Sequence, residues 1–430
     1  MAQTERNVWH NSTETGGIVY SEMTGTVYSE TVALLRRRAQ FTQNIFYSHS
    51  KWYNFKMINI TYYYLLIIVA IPLFICKKNQ IFWIIFIASV VTLVSALRFN
   101  FGADYQAYAG IYKSFSSLTD SVVLYGNEIL YYLYNTVFIK LGLSYSMFVA
   151  FNSLFLMTVI VSWILLSSNN RYYSLFVYIS FFYLVWNLST FRQALALTIG
   201  SFLLFNAKLK FHLIVKILLV PLLGLFHVSA WIYIVLLVLG YLPWKKYAHL
   251  ILFASALMFT LLPVQELIGT IINHSFLDSF LNIYKVRYYF KNMEFSYNLF
   301  NALVAMRVFF FALVWSHYDV LARDKYHKML VDTFLTGMTL YILLSFNTLF
   351  SARLTIYAFF LIILLLPEIV MHYFNRGPII KTIVLFAFVV LSSFMYFKDL
   401  YAIKSQLGIV DDRWYVEYET ILDQEIVIDE

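Results

Sequence analysis

Apolar residues run along most of this chain in long blocks, not at the spacing of half-buried helices or strands. A helix that crosses a bilayer needs about 20 mainly apolar residues, with roughly 17–25 common. By that ruler the pattern predicts twelve spans, near residues 60–75, 81–97, 146–167, 173–189, 194–207, 211–226, 229–242, 247–262, 297–316, 329–350, 354–371 and 379–397. The polar breaks between them alternate in charge. Lys77 and Lys78, Arg171, Lys208 and Lys210, Lys245 and Lys246, Arg323 with Lys325 and Lys328, and Arg376 with Lys381 fall in every second loop. Lys and Arg collect on the cytoplasmic side of membrane proteins. One topology therefore puts all these loops inside and both termini outside. Residues 128–141 are apolar and aromatic as well, but a further span there would invert the later basic loops. They read as a re-entrant or amphipathic helix on the outer face.

The pattern also sets the domain limits. Residues 1–56 are polar, carry a near-repeat (Val19-Tyr20-Ser21-Glu22, then Val27-Tyr28-Ser29-Glu30) and contain Arg36, Arg37 and Arg38. No apolar signal-peptide core follows Met1. This segment is expected to be a tail outside the functional unit, which would begin at Met57. Residues 57–400 form the transmembrane domain, and residues 401–430 an acidic tail.

Composition agrees with an all-α, polytopic helix bundle. Of 430 residues, 61% are hydrophobic and 13% charged, against roughly 25% charged in a soluble domain. A soluble enzyme, a disordered chain and a collagen are all excluded. The single cysteine, Cys76, leaves no disulfide framework and no thiolate metal site. The net charge of +8 reflects loop asymmetry and does not point to nucleic acid.

The candidate chemistry collects at the outer ends of the spans. After the second span the chain reads Arg98-Phe99-Asn100-Phe101-Gly102-Ala103-Asp104-Tyr105-Gln106-Ala107-Tyr108, followed by Tyr112. A helix beginning near Asp104 puts Tyr105, Tyr108 and Tyr112 on one face. Such a face suits sugars, though an interfacial aromatic belt with Asp104 as helix cap explains the same spacing. Arg192 and Arg353 each follow hydroxyl residues and are expected to open helices that run inward. A cation in a first turn opposes the helix dipole, which makes sense where an anion is also held. Snorkelling to lipid headgroups is the competing explanation. Arg98, by contrast, ends a helix, where a cation is favourable anyway. His227, beside the outer boundary, is a candidate base or anion ligand, or a structural hydrogen-bonding group. Arg287, in the largest outer loop, is a further anion candidate. Arg307 lies inside a span, where an ionisable residue is functional by default or else a buried structural ion with a partner that the sequence does not identify; it is the one residue that favours a transporter. Asp-x-Asp, HExxH, P-loop and GxGxxG motifs are missing. What remains is an outward anion site of arginines with tyrosines beside it.

These elements resemble the EpsG/Wzy-like bacterial polysaccharide polymerases. The resemblance rests on Arg98 to Tyr108, on Phe191-Arg192-Gln193-Ala194-Leu195-Ala196, on Phe226-His227-Val228-Ser229-Ala230, and on Arg353-Leu354 with Tyr357. It implies an O-antigen-polymerase-type glycosyltransferase of polysaccharide or lipopolysaccharide biosynthesis in the bacterial inner membrane, with its active face periplasmic. Such an enzyme joins oligosaccharide repeat units carried on undecaprenyl diphosphate. The expected roles are Arg98, Arg192, Arg353 and Arg287 on diphosphate, Tyr105, Tyr108 and Tyr112 on sugar, and Asp104 or His227 as the base. No cofactor and no metal is expected. Membrane lipids surround the chain, and the resemblance brings an expected chain-length-regulating partner. The alternatives are a lipid-linked oligosaccharide flippase or another outer-leaflet transferase such as a ligase.

Overall fold

The computed structural model describes residues 62–75, 80–99, 101–102, 104–114, 128–261, 301–374, 376–406 and 419–420. The expected tail over 1–56 and Arg287 lie outside the described residues. Within them the chain is helical, apart from one antiparallel pairing of β1 (Arg98–Phe99) with β2 (Glu419–Thr420).

The helices follow the apolar runs. They are α1 (Tyr62–Ile75), α2 (Gln80–Leu97), α3 (Tyr105–Ser114), α4 (Ile129–Lys140), α5 (Tyr145–Ser167) and α6 (Arg171–Tyr178). A π-helical segment, Ile179–Asn187, continues α6 and leads to α7 (Phe191–Leu204) and α8 (Leu213–Gly224). A 3₁₀ turn, Val228–Trp231, then opens α9 (Ile232–Gly240). The remainder are α10 (Lys246–Phe259), α11 (Ala302–Ser316), the single turn α12 (Tyr318–Leu321), α13 (Lys325–Leu343), α14 (Thr348–Phe359), α15 (Ile362–Phe374) and α16 (Pro378–Gln406). Side-chain caps set several starts: Ser144, Asn301, Asp324 and Asn347 each accept a first-turn backbone N–H.

Every predicted span contains helix, but twelve crossings are not what the described helices add up to. Only α2, α5 and α16 are long and apolar enough to cross a bilayer. The run expected over 354–371 is two helices, α14 and α15, bent by 58° at Phe360 and Leu361. Five further apolar helices (α7, α8, residues 228–240, α10 and α11) are shorter. The reason is local. Apolar content alone does not reveal the π segment, the 3₁₀ turn or the bend that break these runs. At about 1.5 Å per residue, the twelve residues of α4 reach about 18 Å, well short of a bilayer core of about 30 Å.

The outward faces are apolar in helical register. On α16, Ile379, Ile383, Phe386, Val390, Phe394 and Phe397 are exposed, as are Ile81, Phe82, Ile85, Phe86 and Leu93 on α2. In water such stripes would drive aggregation; against lipid tails they cost nothing. Between these stripes α2 packs on α5, α5 on α7, α13 on α14, and α16 on the π segment. Small residues permit a close crossing: a Cβ on Gly337 of α13 would stand 2.0 Å from Ala358 Cβ of α14. A second, largely aromatic cluster of Tyr105, Tyr108, Tyr112, Tyr131, Tyr132, Phe138, Phe148 and Phe191 fills the space between α3, α4, α5 and α7. It forms the floor under the polar residues described next.

Candidate functional site

The end of α2 is built around a fully buried arginine. Arg98, 0% exposed, turns back so that Nη1 donates to the Ser95 carbonyl and to Ser153 Oγ. Its Nε donates to the Phe101 carbonyl at 3.3 Å and its Nη2 to the Leu188 carbonyl at 3.2 Å. The guanidinium also lies 5.1 Å from the Phe191 ring centroid. Arg98 was expected to bind diphosphate. Instead its donors go to three backbone carbonyls and the Ser153 hydroxyl, which tie the α2 end to α5 and to the turn that precedes α7. That turn follows the π segment, whose wider winding frees carbonyls from the usual ladder.

Gly102 completes the same joint. Its φ of +115° is open to glycine at little cost, and a Cβ would sit 2.2 Å from the Leu188 oxygen. Gly102→Ala is expected to lower stability by more than about 1 kcal/mol and to dislodge Asp104. Thermal unfolding of the purified variant in detergent checks this; an unchanged midpoint would refute it.

Past Gly102, Asp104 immediately precedes α3. Tyr105, Tyr108 and Tyr112 share one face of α3, and all three are buried. The Tyr108 ring packs on Tyr131 and Phe191, and the Tyr105 and Tyr112 rings pack on Tyr145. Tyr112 Oη donates to the Leu143 carbonyl at 2.8 Å. The expected sugar platform is therefore a packed wall, because its ring faces are covered by other rings.

Arg192, second residue of α7, sits over this wall, 5.5 and 5.8 Å from the Tyr108 and Tyr131 ring centroids. Its Nε donates to Tyr108 Oη at 3.4 Å and its Nη1 to Glu128 Oε2 at 2.6 Å. Nη2 makes no hydrogen bond among the described residues, and the side chain is 21% exposed against 1% for Glu128. Glu128 joins three elements. It stands just before α4, holds Arg192 of α7, and accepts the Val228 N–H of the 3₁₀ turn on Oε1 at 3.3 Å. The sequence reading missed Glu128 as a site residue. A signal was there: it is a lone carboxylate at the edge of an apolar, aromatic stretch.

His227 approaches the same carboxylate, with Nε2 3.9 Å from Glu128 Oε1. Its Nδ1 accepts the Ser229 N–H at 3.3 Å and lies 2.6 Å from Ser229 Oγ. In the neutral ring this puts the proton on Nε2, facing Glu128. Ser229 Oγ continues the network to Tyr357 Oη at 2.8 Å and to Gln193 Nε2 at 3.1 Å. Gln193 Nε2 also donates to the Arg353 carbonyl at 2.7 Å, tying α7 to α14.

Arg353 does not open its helix. Asn347 caps α14, which starts at Thr348, so Arg353 falls in the second turn, beyond the reach of the dipole argument. Position still brings it to the site, where it and Arg192 act on Asp104. Burial raises the Asp104 pKa above the usual carboxylate range, while Arg353 and then Arg192 pull it partly back. The structure thus brings Arg192 and His227 to the Glu128 carboxylate, which the sequence reading had not singled out as a site residue, and links them through Ser229 and Gln193 to the Arg353 backbone. One guanidinium and one imidazole share one buried carboxylate. Among the described residues no three His, Cys, Asp or Glu side chains meet as a metal site would need.

Residues 80–411 match the sequence model of the EpsG family. The chain belongs to the EpsG family. The match takes in every residue just described, and it associates the chain with membrane glycosyltransferases of the polysaccharide-polymerase type. No curated protein and no solved structure is detectably similar to it.

Proposed function

We propose that this EpsG-family protein polymerises oligosaccharide repeat units carried on undecaprenyl diphosphate, at the outer leaflet of the bacterial inner membrane. The observation that carries the reading is the cluster at the start of α7, where Arg192 Nη1 lies 2.6 Å and His227 Nε2 3.9 Å from the buried Glu128 carboxylate, beside the Gln193 link to the Arg353 carbonyl. In the reaction a hydroxyl of the acceptor unit attacks the anomeric carbon of the donor chain. The bond from that carbon to the diphosphate oxygen breaks, the lipid diphosphate leaves with the electron pair, and a base takes the hydroxyl proton. Arg192 and Arg353 stabilise the departing charge, the role in which fixed donors usually contribute most. Glu128 holds one side of the Arg192 fork and leaves Nη2 for the ligand. Asp104 is the better base of the two candidates, since His227 Nδ1 already accepts the Ser229 N–H. Arg98 positions the joint and does not touch substrate.

A gel of surface polysaccharide from a host lacking this gene tests the reading. Collapse of the ladder to a single repeat unit is the expected result. Complete loss of the glycan would support the flippase alternative, which the α14–α15 bend favours because transporters bind substrate at broken helices. An unchanged ladder would remove the protein from the pathway.

The Asp104 environment adds a pH prediction. As base it works only when deprotonated, so activity falls as pH drops through its raised pKa. Arg353 lowers that pKa, so Arg353→Met is expected to move the acidic limb of the rate profile to higher pH. Asp104→Asn should remove the limb together with most of the rate. Measured in membranes with lipid-linked units, a limb that stays in place in Arg353→Met would show that Arg353 does not act on Asp104, and a limb retained in Asp104→Asn would exclude Asp104 as the base.

A further inference from the structure

The far end of the chain returns to the joint that leads to Asp104. Helix α16 runs for 29 residues, about 43 Å at 1.5 Å per residue, which exceeds a bilayer core of about 30 Å. Like α2, it begins beside a pair of basic residues, so both helices end on the opposite side. There the chain comes back as β2, which pairs antiparallel with β1, Arg98 against Thr420 and Phe99 against Glu419. Residues 407–418 could span about 40 Å if extended, so their length permits the return. Composition alone would send this segment into solvent, since residues 407–430 hold eight Asp and Glu against one Arg. Yet Trp414 to Leu422 reads Trp-Tyr-Val-Glu-Tyr-Glu-Thr-Ile-Leu, rich in the types that strands favour. Such a strand needs a partner for its backbone groups, and β1 is that partner.

A two-residue ladder is too short to matter by itself; its place gives it weight. Asp104 follows Phe99 by five residues. Between them the Phe101 carbonyl takes Arg98 Nε, and the Gly102 carbonyl takes the Tyr105 N–H at 3.1 Å. The Phe99 ring lies 5.9 Å from the Tyr105 ring, so β1 and the start of α3 move together. Arg98 fastens this joint through its side chain, and β2 fastens the same residues through their backbone. The other half of the joint is held from the same part of the chain, because α16 packs on the π segment that leads to Leu188. The family match ends at residue 411, so β2 lies beyond it.

We propose that β2 is a strap that positions Asp104: by clamping β1 from outside the family-matched region, the C-terminal segment becomes part of this chain's working unit. The proposal rests on the reading of Asp104 as the base. The strap acts through the loop and does not touch substrate.

The test has two arms, both in a host lacking the gene. In the first, Phe99→Cys and Glu419→Cys are combined with Cys76→Ser in the full chain. Facing residues of an antiparallel pair stand about 4.5–5.5 Å apart at Cα, within disulfide reach. Oxidation should therefore close the bridge, and the bridged protein should polymerise at least as well as the reduced one. Failure to bridge would overturn the strap, and so would a bridged protein that makes polymer only after reduction, since that marks an inhibitory clamp. In the second arm the chain ends after Asp411, which keeps every family-matched residue. Polymer made in membranes should fall at least tenfold at equal protein level, and the acidic limb of the rate profile should move to lower pH. The direction follows because burial raises the Asp104 pKa against the pull of Arg353 and Arg192, and a loosened loop exposes the carboxyl. Loss of folded protein alone would lower the rate without moving the limb, and that result, or a wild-type or longer ladder, would overturn the positioning role. Thr420→Pro disturbs the ladder in the full chain and should move the limb the same way, so a shortened chain that fails to accumulate does not spare the proposal. The bridge forms whatever the reaction is: a bridge without any ladder from the wild type would overturn the polymerase reading and keep the β1–β2 pairing.

Discussion

Arg192→Met is expected to reduce polymer formation by roughly 10²–10³-fold, leaving single repeat units on the surface. The magnitude follows from removing one preorganised donor to a charge that develops in the transition state, which costs about 2.7–4 kcal/mol of barrier. Arg192 is placed for that effect by its whole surroundings. It begins α7, where free backbone N–H groups also favour an anion. Tyr108 and Tyr131 lie under the guanidinium at 5.5 and 5.8 Å, and Glu128 fixes Nη1 at 2.6 Å. Such a group does not have to reorganise when the diphosphate leaves. Arg192→Lys should retain part of the activity, because an ammonium keeps the charge but loses the planar fork. The measurement is the surface-polysaccharide ladder, with each variant's membrane level confirmed by immunoblot. A wild-type ladder from Arg192→Met at equal protein level would remove this residue from the chemistry.

Much of this arrangement was legible in the residue order, and the failures have identifiable causes. Apolar runs place helix correctly because burial in lipid rewards composition over a whole segment. They do not reveal where a segment breaks, since the π winding at 179–187 and the bend at Phe360 and Leu361 arise from packing against neighbours. Arg192, Arg353, Asp104 and His227 are visible as polar residues at span ends, and of these the fold sets Arg192 and His227 on one carboxylate and ties the Arg353 backbone to Gln193. Arg98 shows the limit of that reasoning. From sequence, an arginine at a span end looks alike whether it faces a ligand or, as Arg98 does, four oxygens of its own chain. The tyrosines of α3 repeat the lesson: helical spacing puts them on one face without telling what covers it. Glu128 was overlooked because its meaning lies in its partners, 64 and 100 residues away in the chain.

Glu128→Ala is expected to be the most destabilising single change at this site, by about 3–5 kcal/mol, because it leaves one member of a buried ion pair uncompensated. Its carboxylate holds Arg192 on Oε2 and the Val228 N–H on Oε1, so its loss would loosen α4, α7 and the 3₁₀ turn from one another. His227 Nε2, 3.9 Å away, would lose its anionic neighbour at the same time. Adding Arg192→Met to Glu128→Ala should recover part of the lost stability, since the stranded cation is then removed as well. That recovery separates a true pair from two residues that merely lie close: for a pair, the two changes together cost less than their sum. Glu128→Gln should melt between wild type and Glu128→Ala, because an amide oxygen still accepts from Arg192 without a charge to balance it. Thermal unfolding of the four proteins in one detergent gives the cycle directly, and additive shifts would show that the 2.6 Å contact contributes no coupling. If the coupling is there, the pair also explains how Arg192 stays open to substrate. Glu128 satisfies one end of the guanidinium, and the other makes no hydrogen bond among the described residues.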